Sequence, residues 1–248
     1  MYHKTGTRIL TFAAALLLLG CATSGQMNTA PTTTTTTAGA TVANVTADSA
    51  GWQTLFDGKS LGAFRGYKMD SMPSGWHIVD GVLTKSGSVE DLVTREKFAN
   101  FELAFDWKLG AGGNSGVFYR VTEEYDHPYW SGPEYQLLDD AGHPDGKSRL
   151  TAAGSAYGLY PSPAGVVKPA NEWNSSLIVV NGNHVQHWMN GQKLLQYDLL
   201  SPDWEAKVKA SKFGAWPNYG RAKTGYIGIQ GDHDGVLYIR NVRIRVLK

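Results

Sequence analysis

GNSGVFYR at residues 113–120 and PEYQLLDD at residues 133–140 carry most of what the chain discloses about its architecture. Both read as short strands, joined by a polar loop that carries Tyr125, His127 and Trp130. Side chains two apart share a strand face. Asn114, Gly116, Phe118 and Arg120 therefore fall on one side of the first strand, with Val117 and Tyr119 on the other. In the second, Glu134 and Gln136 share a face, backed by Tyr135 and Leu137. A carboxylate, a guanidinium and two amides on neighbouring faces make either the floor of a polar pocket or a solvated sheet face with one Arg–Glu cross-strand pair. The residues alone leave both readings open.

Outward from this pair the chain keeps the same period. In 98–109, Phe101, Leu103, Phe105 and Trp107 face one way and Glu102, Ala104, Asp106 and Lys108 the other. Upstream lie an edge strand at 52–56, a hairpin of 75–79 and 82–85 turning at Asp80-Gly81, and a short strand at 91–94. Downstream, 141–170 is a long loop of Gly, Pro and Ser, a kind of connection that is uncommon in compact domains and usually functional. Strands resume at 173–180, 184–189 and 192–197, around turns at 181–183 and Asn190-Gly191, and end with 226–230 and 236–246. One stretch reads as helix: Ser201 caps it, Pro202 opens it, Asp203 and Glu205 lie early, and Lys207, Lys209 and Lys212 lie late. Many short strands, Gly-rich turns and one short helix predict an all-β sandwich of antiparallel sheets. The chain shows no phosphate-binding glycine loop, zinc motif or nucleophile elbow.

The first fifth of the chain has a different character. His3, Lys4 and Arg8 precede an apolar run, 9–19, too short to span a bilayer, and Leu18-Leu19-Gly20-Cys21 has the form of a bacterial lipobox. The expectation is a lipoprotein signal peptide over 1–21, with Cys21 lipidated and the exported protein anchored to the cell envelope. Ala22 and Thr23, in place of an acidic residue, favour the outer membrane. Residues 22–50, rich in Thr and Ala, read as a disordered tether, leaving 51–248 as one domain. Cys21 is the only cysteine, so no intramolecular disulfide can form. Without the leader's Lys4 and Arg8 the net charge passes from +1 to −1, and the absence of a basic stripe argues against nucleic acid. Abundant Gly, Trp and Tyr in an exported β-domain fit sugar recognition, although core packing accounts for aromatics equally well.

GWQTLFDGKSL, NFELAFDWKLGAGGNSGVFYR, PEYQLLDD, the ANEWN and GNHVQHWMNG segments, and GYIGIQGDHDGVLYIRNVRI follow one another between Gly51 and Arg245. In that order they resemble the 3-keto-disaccharide hydrolase domain family. The resemblance implies a concanavalin-like jelly roll of two curved antiparallel sheets that holds carbohydrate. It also implies cleavage of glycosides already oxidised at C3 by a partner oxidoreductase. An ordinary glycosidase needs two flanking carboxyl groups. A 3-keto sugar needs one base, because the ketone acidifies the C2 proton and the enolate can expel the C1 oxygen; water then adds to the product.

For that chemistry the candidates are Glu134 or His187 as base with the other as acid, and Arg120, Asn114 and Lys168 to polarise the ketone or hold hydroxyls. Gln136, Tyr157, Gln230 and His233 are further sugar contacts. Asp139 and Asp140 stand at a strand end, where a surface turn accounts for them. Val185, His187 and Met189 share a face, so His187 reads equally well as a core residue. Trp130 and Trp216 are ring-stacking or loop-anchoring residues. No metal-ligand spacing is diagnostic; a divalent cation held by His233 with Glu134 is one option. Many family members carry Gln-Asp-His-Gly where this chain has Gln230-Gly231-Asp232-His233-Asp234-Gly235, one residue longer, which shifts His233. The alternative to an enzyme is a non-catalytic carbohydrate-binding, lectin-like module on the same fold.

Overall fold

The computed structural model describes residues 47–248. The predicted leader 1–21, lipidation at Cys21 and the tether as far as residue 46 lie outside the described residues. Pairing begins slightly before residue 51. Ala47 bridges Gln53, and the Asp48 carboxylate accepts from the backbone N–H groups of Ala50 and Trp52.

The strands are β1 (Trp52–Phe56), β2 (Phe64–Gly66), β3 (Trp76–Val79), β4 (Val82–Ser86) and β5 (Leu92–Thr94). Then come β6 (Phe101–Leu109), β7 (Asn114–Val121) and β8 (Glu134–Leu138). β9 (Asn174–Asn181), β10 (His184–Met189), β11 (Gln192–Asp198), β12 (Tyr226–Ile229) and β13 (Val236–Val246) complete the set. All pair antiparallel, in two sheets. The larger runs β11-β10-β9-β6-β13-β4-β3, and β1 also pairs with β13; the smaller runs β2-β5-β12-β7-β8. The fold is thus the two-sheet, all-β jelly roll that the alternation predicts, with one α-helix among the described residues, α1 (Pro202–Ala210).

Alternation explains how the sheets meet. In β6, Phe101, Leu103, Phe105, Trp107 and Leu109 are buried, and the residues between them are only partly so. They meet Val117, Tyr119, Tyr135 and Leu137 of the smaller sheet in one apolar cluster. Burying each such side chain is worth roughly 1.5–3 kcal/mol, so this layer dominates stability. Polar tips inside the layer are paired: Trp107 Nε1 donates to Ser176 Oγ at 2.9 Å, and Tyr135 Oη lies 2.9 Å from the same hydroxyl. The hairpin turns follow their residues too. Asp80-Gly81 and Asn190-Gly191 all have positive φ, as the favoured two-residue turns require. At the helix start, Ser201 Oγ accepts from Trp204 N at 3.2 Å; Lys212 lies beyond the helix, in a 3-10 turn, Lys212–Ala215.

One residue of β7 breaks the period. Tyr226 pairs with Val121 and Gly228 with Phe118, so Tyr119 and Arg120 together oppose Ile227 in a bulge. Arg120 has φ +55° there, and Gly225 leaves room for the displaced backbone, since a Cβ at 225 would stand 2.6 Å from Val121 O. Phe118 and Val121, three apart, consequently pack on the same face beside Tyr67 and Val93. This shift carries Arg120 off the face it would otherwise share with Asn114.

Candidate active site

The outer face of the smaller sheet supplies a polar floor: Asn114 on β7, Glu134 and Gln136 on β8, and Gln230 just after β12. Loops bring the walls. Tyr129 comes from the β7–β8 loop, Asp145 and Tyr157 from the long loop after β8, Lys212 from the turn after α1, and Asp232 and His233 from the β12–β13 turn. Together they enclose about 170 Å³. That is below the roughly 300–1,000 Å³ of pockets for drug-sized ligands, and suits one sugar ring rather than an extended chain.

Glu134 is the most perturbed acid of this floor. It is 6% exposed, and burial pushes its carboxyl up to about 8; the charges of Asp232, Asp91 and Asp145 add to the rise while Lys212 pulls it down. Such a group exchanges a proton near neutral pH, as a general base or acid must. Gly116, directly across the ladder from Gln136, makes room for it. A Cβ at 116 would collide with Glu134 Oε1 and stand 2.8 Å from its Cδ. The Gln136 carboxamide lies between Glu134 and Asn114. In one orientation its nitrogen donates to Glu134 Oε1 at 2.8 Å, and in the other to Asn114 Oδ1 at 3.0 Å.

The remaining polar groups are oriented toward the space. Backbone contacts fix Gln230: its N–H donates to Gly116 O at 2.9 Å and its carbonyl accepts from Ser115 Oγ at 2.9 Å. Its side-chain Oε1 is buried, and among the described residues it has no hydrogen-bond partner. Asp232 Oδ1 is in the same position. Unpartnered buried oxygens at a pocket wall call for donors from a ligand, and sugar hydroxyls are such donors. Tyr157 Oη donates to Asp145 Oδ2 at 3.1 Å, and Lys212 Nζ sits 4.5 Å from the Tyr157 ring centre. Beside the pocket, burial lifts Asp91 to about 7 although its Oδ1 accepts from Gly231 N at 2.6 Å.

Six of the residues singled out in the sequence therefore converge: Glu134, Asn114, Gln136, Tyr157, Gln230 and His233. The longer 230–235 turn does not remove His233, which lines the pocket with its imidazole pKa lowered by burial. Three do not reach it. Arg120, turned by the bulge, donates to Ala99 O at 2.7 and 3.0 Å and to Gly182 O at 2.7 Å, tying the two sheets together at one end. His187 is wholly buried in the core, where burial lowers its pKa to about 4; Nδ1 lies 3.0 Å from Gly154 O and Nε2 3.2 Å from Tyr119 Oη. Lys168 donates to Trp173 O at 2.9 Å, away from the pocket. The correction for the cation is Lys212 in place of Arg120.

Asp139 and Asp140 make structural contacts at the strand end, although Asp139 is buried there and not on a surface turn. Asp139 Oδ2 accepts from Gly112 N at 2.8 Å, and Asp140 pairs with Arg149 at 2.9 Å and accepts from Ala153 N at 2.7 Å. Trp130 and Trp216 stack on each other, 5.0 Å between centres. Tyr129, Asp145, Lys212 and Asp232 were not among the sequence candidates. Only the unusual length of the 141–170 loop hinted that one of them, Asp145, belongs to a site.

An antiparallel sandwich with a small polar pocket built around one buried carboxyl suits the class of glycoside-cleaving hydrolases. Comparison with known proteins specifies it further. Residues 51–245 match the 3-keto-alpha-glucoside-1,2-lyase-like domain, and the chain belongs to that family. It is 37% identical over 232 residues to a 3-keto-disaccharide hydrolase of Bacteroides thetaiotaomicron, covering 81% of this chain and 80% of the relative. Among solved structures, a candidate glycosyl hydrolase from Parabacteroides distasonis superposes with a TM-score of 0.75 at 36% identity, covering 80% of this chain and 95% of the other. A second from the same organism gives 0.66 at 29% identity, covering 79% and 99%.

Proposed function

We propose that this protein cleaves the glycosidic bond of 3-keto-glycosides, 3-keto-disaccharides among them, by removing the proton on C2. The observation that carries the reading is Glu134, a buried carboxyl at the floor of a one-ring pocket whose pKa burial holds at about 8. Ionised, it takes the C2 proton, and the C2–H electron pair forms the enolate with the C3 oxygen. Re-forming the C3 carbonyl then makes a C1–C2 double bond and expels the C1 oxygen, which leaves as an alcohol after protonation. Water adding across that double bond completes a net hydrolysis. Lys212 supports the anionic stage through its positive charge, and Asn114, Gln136 and Gln230 offer amides to the ring hydroxyls. Asp145 is engaged by Tyr157, which speaks against a symmetrical pair of catalytic carboxyls. The substrate implies a sugar-oxidising oxidoreductase upstream, and lipidation of Cys21 would hold the enzyme at the outer membrane where oligosaccharides arrive.

Running the reaction in D2O separates this route from direct hydrolysis. Elimination followed by hydration places a solvent deuteron on C2 of the released 3-keto sugar. Product that keeps its original C2 proton, formed faster than free 3-keto sugar exchanges in buffer, would refute proton abstraction.

A further inference from the structure

We propose that Asp91, His127 and Asp232 form a binding site for one divalent metal ion in the wall of the pocket. The three come from separate parts of the chain: the residue before β5, the β7–β8 loop and the β12–β13 turn. One donor atom from each lies within 4.8 Å of the other two. Bonds of about 2.0–2.2 Å to a first-row ion bring neighbouring ligands to roughly 3–3.5 Å, a closure that side-chain rotation supplies.

Each side chain is held with donor capacity to spare. Gly231 N donates to Asp91 Oδ1 at 2.6 Å and so fixes that carboxyl. The close approach depends on glycine, because a Cβ at 231 would stand 2.7 Å from Glu90 O and 2.8 Å from Val89 O. Asp232 Oδ1 is buried without a hydrogen-bond partner among the described residues. The His127 ring is clamped by Tyr129, stacked at 4.9 Å, and by the edge of Trp130 at 4.7 Å. Among the described residues neither of its nitrogens has a hydrogen bond. The buried Lys85 gives its protons to the carbonyls of Gly87, Gly231 and His233, not to these carboxylates. Two acids and an oriented imidazole thus face one another, and the one side-chain ion-pair partner of either acid among the described residues is His233, whose Nε2 stands 3.9 Å from Asp232 Oδ1.

One imidazole beside two carboxylates favours a first-row transition ion such as Zn²⁺ or Mn²⁺ over Ca²⁺ or Mg²⁺, because imidazole is a poor ligand for the alkaline-earth cations. Three protein ligands leave coordination positions open. Asp232 also lines the pocket, so an open position would face the sugar and could take the C3 oxygen as its charge develops. That role rests on the proposed reaction; metal binding itself does not.

The test uses untagged protein, stripped with chelator and dialysed against Mn²⁺, Zn²⁺, Ca²⁺ or Mg²⁺ without sugar, with bound metal counted by elemental analysis and affinity by calorimetry. One equivalent of Zn²⁺ or Mn²⁺ per chain is expected, with a raised Tm, and little Ca²⁺ or Mg²⁺. His127→Gln and Asp232→Asn, checked by circular dichroism for an intact fold, should each weaken binding ~10-fold or more. Wild-type protein that retains less than a tenth of an equivalent of every ion, or variants that bind as tightly as wild type, would overturn the site. Metal bound as expected by a protein inactive on 3-keto glycosides would reject the reaction and keep the site.

Discussion

Glu134 lies folded across the bare Cα of Gly116, in a space that any side chain at 116 would occupy. Gly116, on the neighbouring strand and paired with Gln136, thereby sets where the carboxyl can sit. Gly116→Ala should leave the sandwich folded, because residue 116 is absent from the positions whose φ demands glycine, and push Glu134 off its seat. A displacement near 1 Å can cost ~100-fold in rate. Kinetics on a chromogenic 3-keto glucoside should show kcat reduced on that scale, with Tm changed by only a few degrees.

Lys212 opposes the burial that raises Glu134. Lys212→Met should therefore raise the Glu134 pKa further above about 8. If the ionised carboxyl is the base, the rising limb of the pH profile of kcat/KM moves to higher pH, and the rate at neutral pH falls. An unshifted limb would show that Glu134 is not the group being titrated.

Glu134 also shapes stability. Burial raises its folded pKa to about 8, above the ordinary carboxyl value of 4.5. Its contribution is therefore fully present below about pH 4.5 and is lost as pH rises through about 8. Glu134→Gln removes that loss, so the Tm advantage of the variant over wild type should grow from pH 5 to pH 8. His187 works the other way: its folded pKa, about 4, lies below 6.5, so stability is lost as pH falls from 6.5 toward 4. Comparing thermal melts of the two proteins across pH isolates the Glu134 part.

Arg120 holds carbonyls of the opposite sheet instead of substrate. Arg120→Met leaves those acceptors unsatisfied and should cost about 2–3 kcal/mol in denaturant unfolding. Turnover per folded molecule should stay near wild type. Abolished turnover in a fully folded variant would return Arg120 to the active site.

The contrast between Arg120 and Glu134 marks what the sequence could disclose. Alternation in β6 and the Asp80-Gly81 and Asn190-Gly191 turns were legible because period and turn chemistry are local. The same period placed Asn114, Glu134 and Gln136 correctly, since no bulge intervenes between them. It misplaced Arg120 because one extra residue at the Tyr119–Arg120 bulge reverses the faces, and nothing in GVFYR announces it. For His187 the period gave the face but not whether that face was inward; it lies in the core with Val185 and Met189. Lys212, Tyr129, Asp145 and Asp232 reach the pocket from turns and loops, whose side chains follow no period. Their arrival is a property of the closed fold, set by contacts between segments far apart in the chain.

Removal by Glu134 of a proton next to a ketone is the step on which the proposed function rests. Release of the aglycone from a 3-keto glucoside by Glu134→Gln, measured beside wild type with both proteins shown to be folded, tests it most directly. Turnover lower by several orders of magnitude is expected, with a Tm equal to or above that of wild type. Near-wild-type release by the folded variant would contradict it.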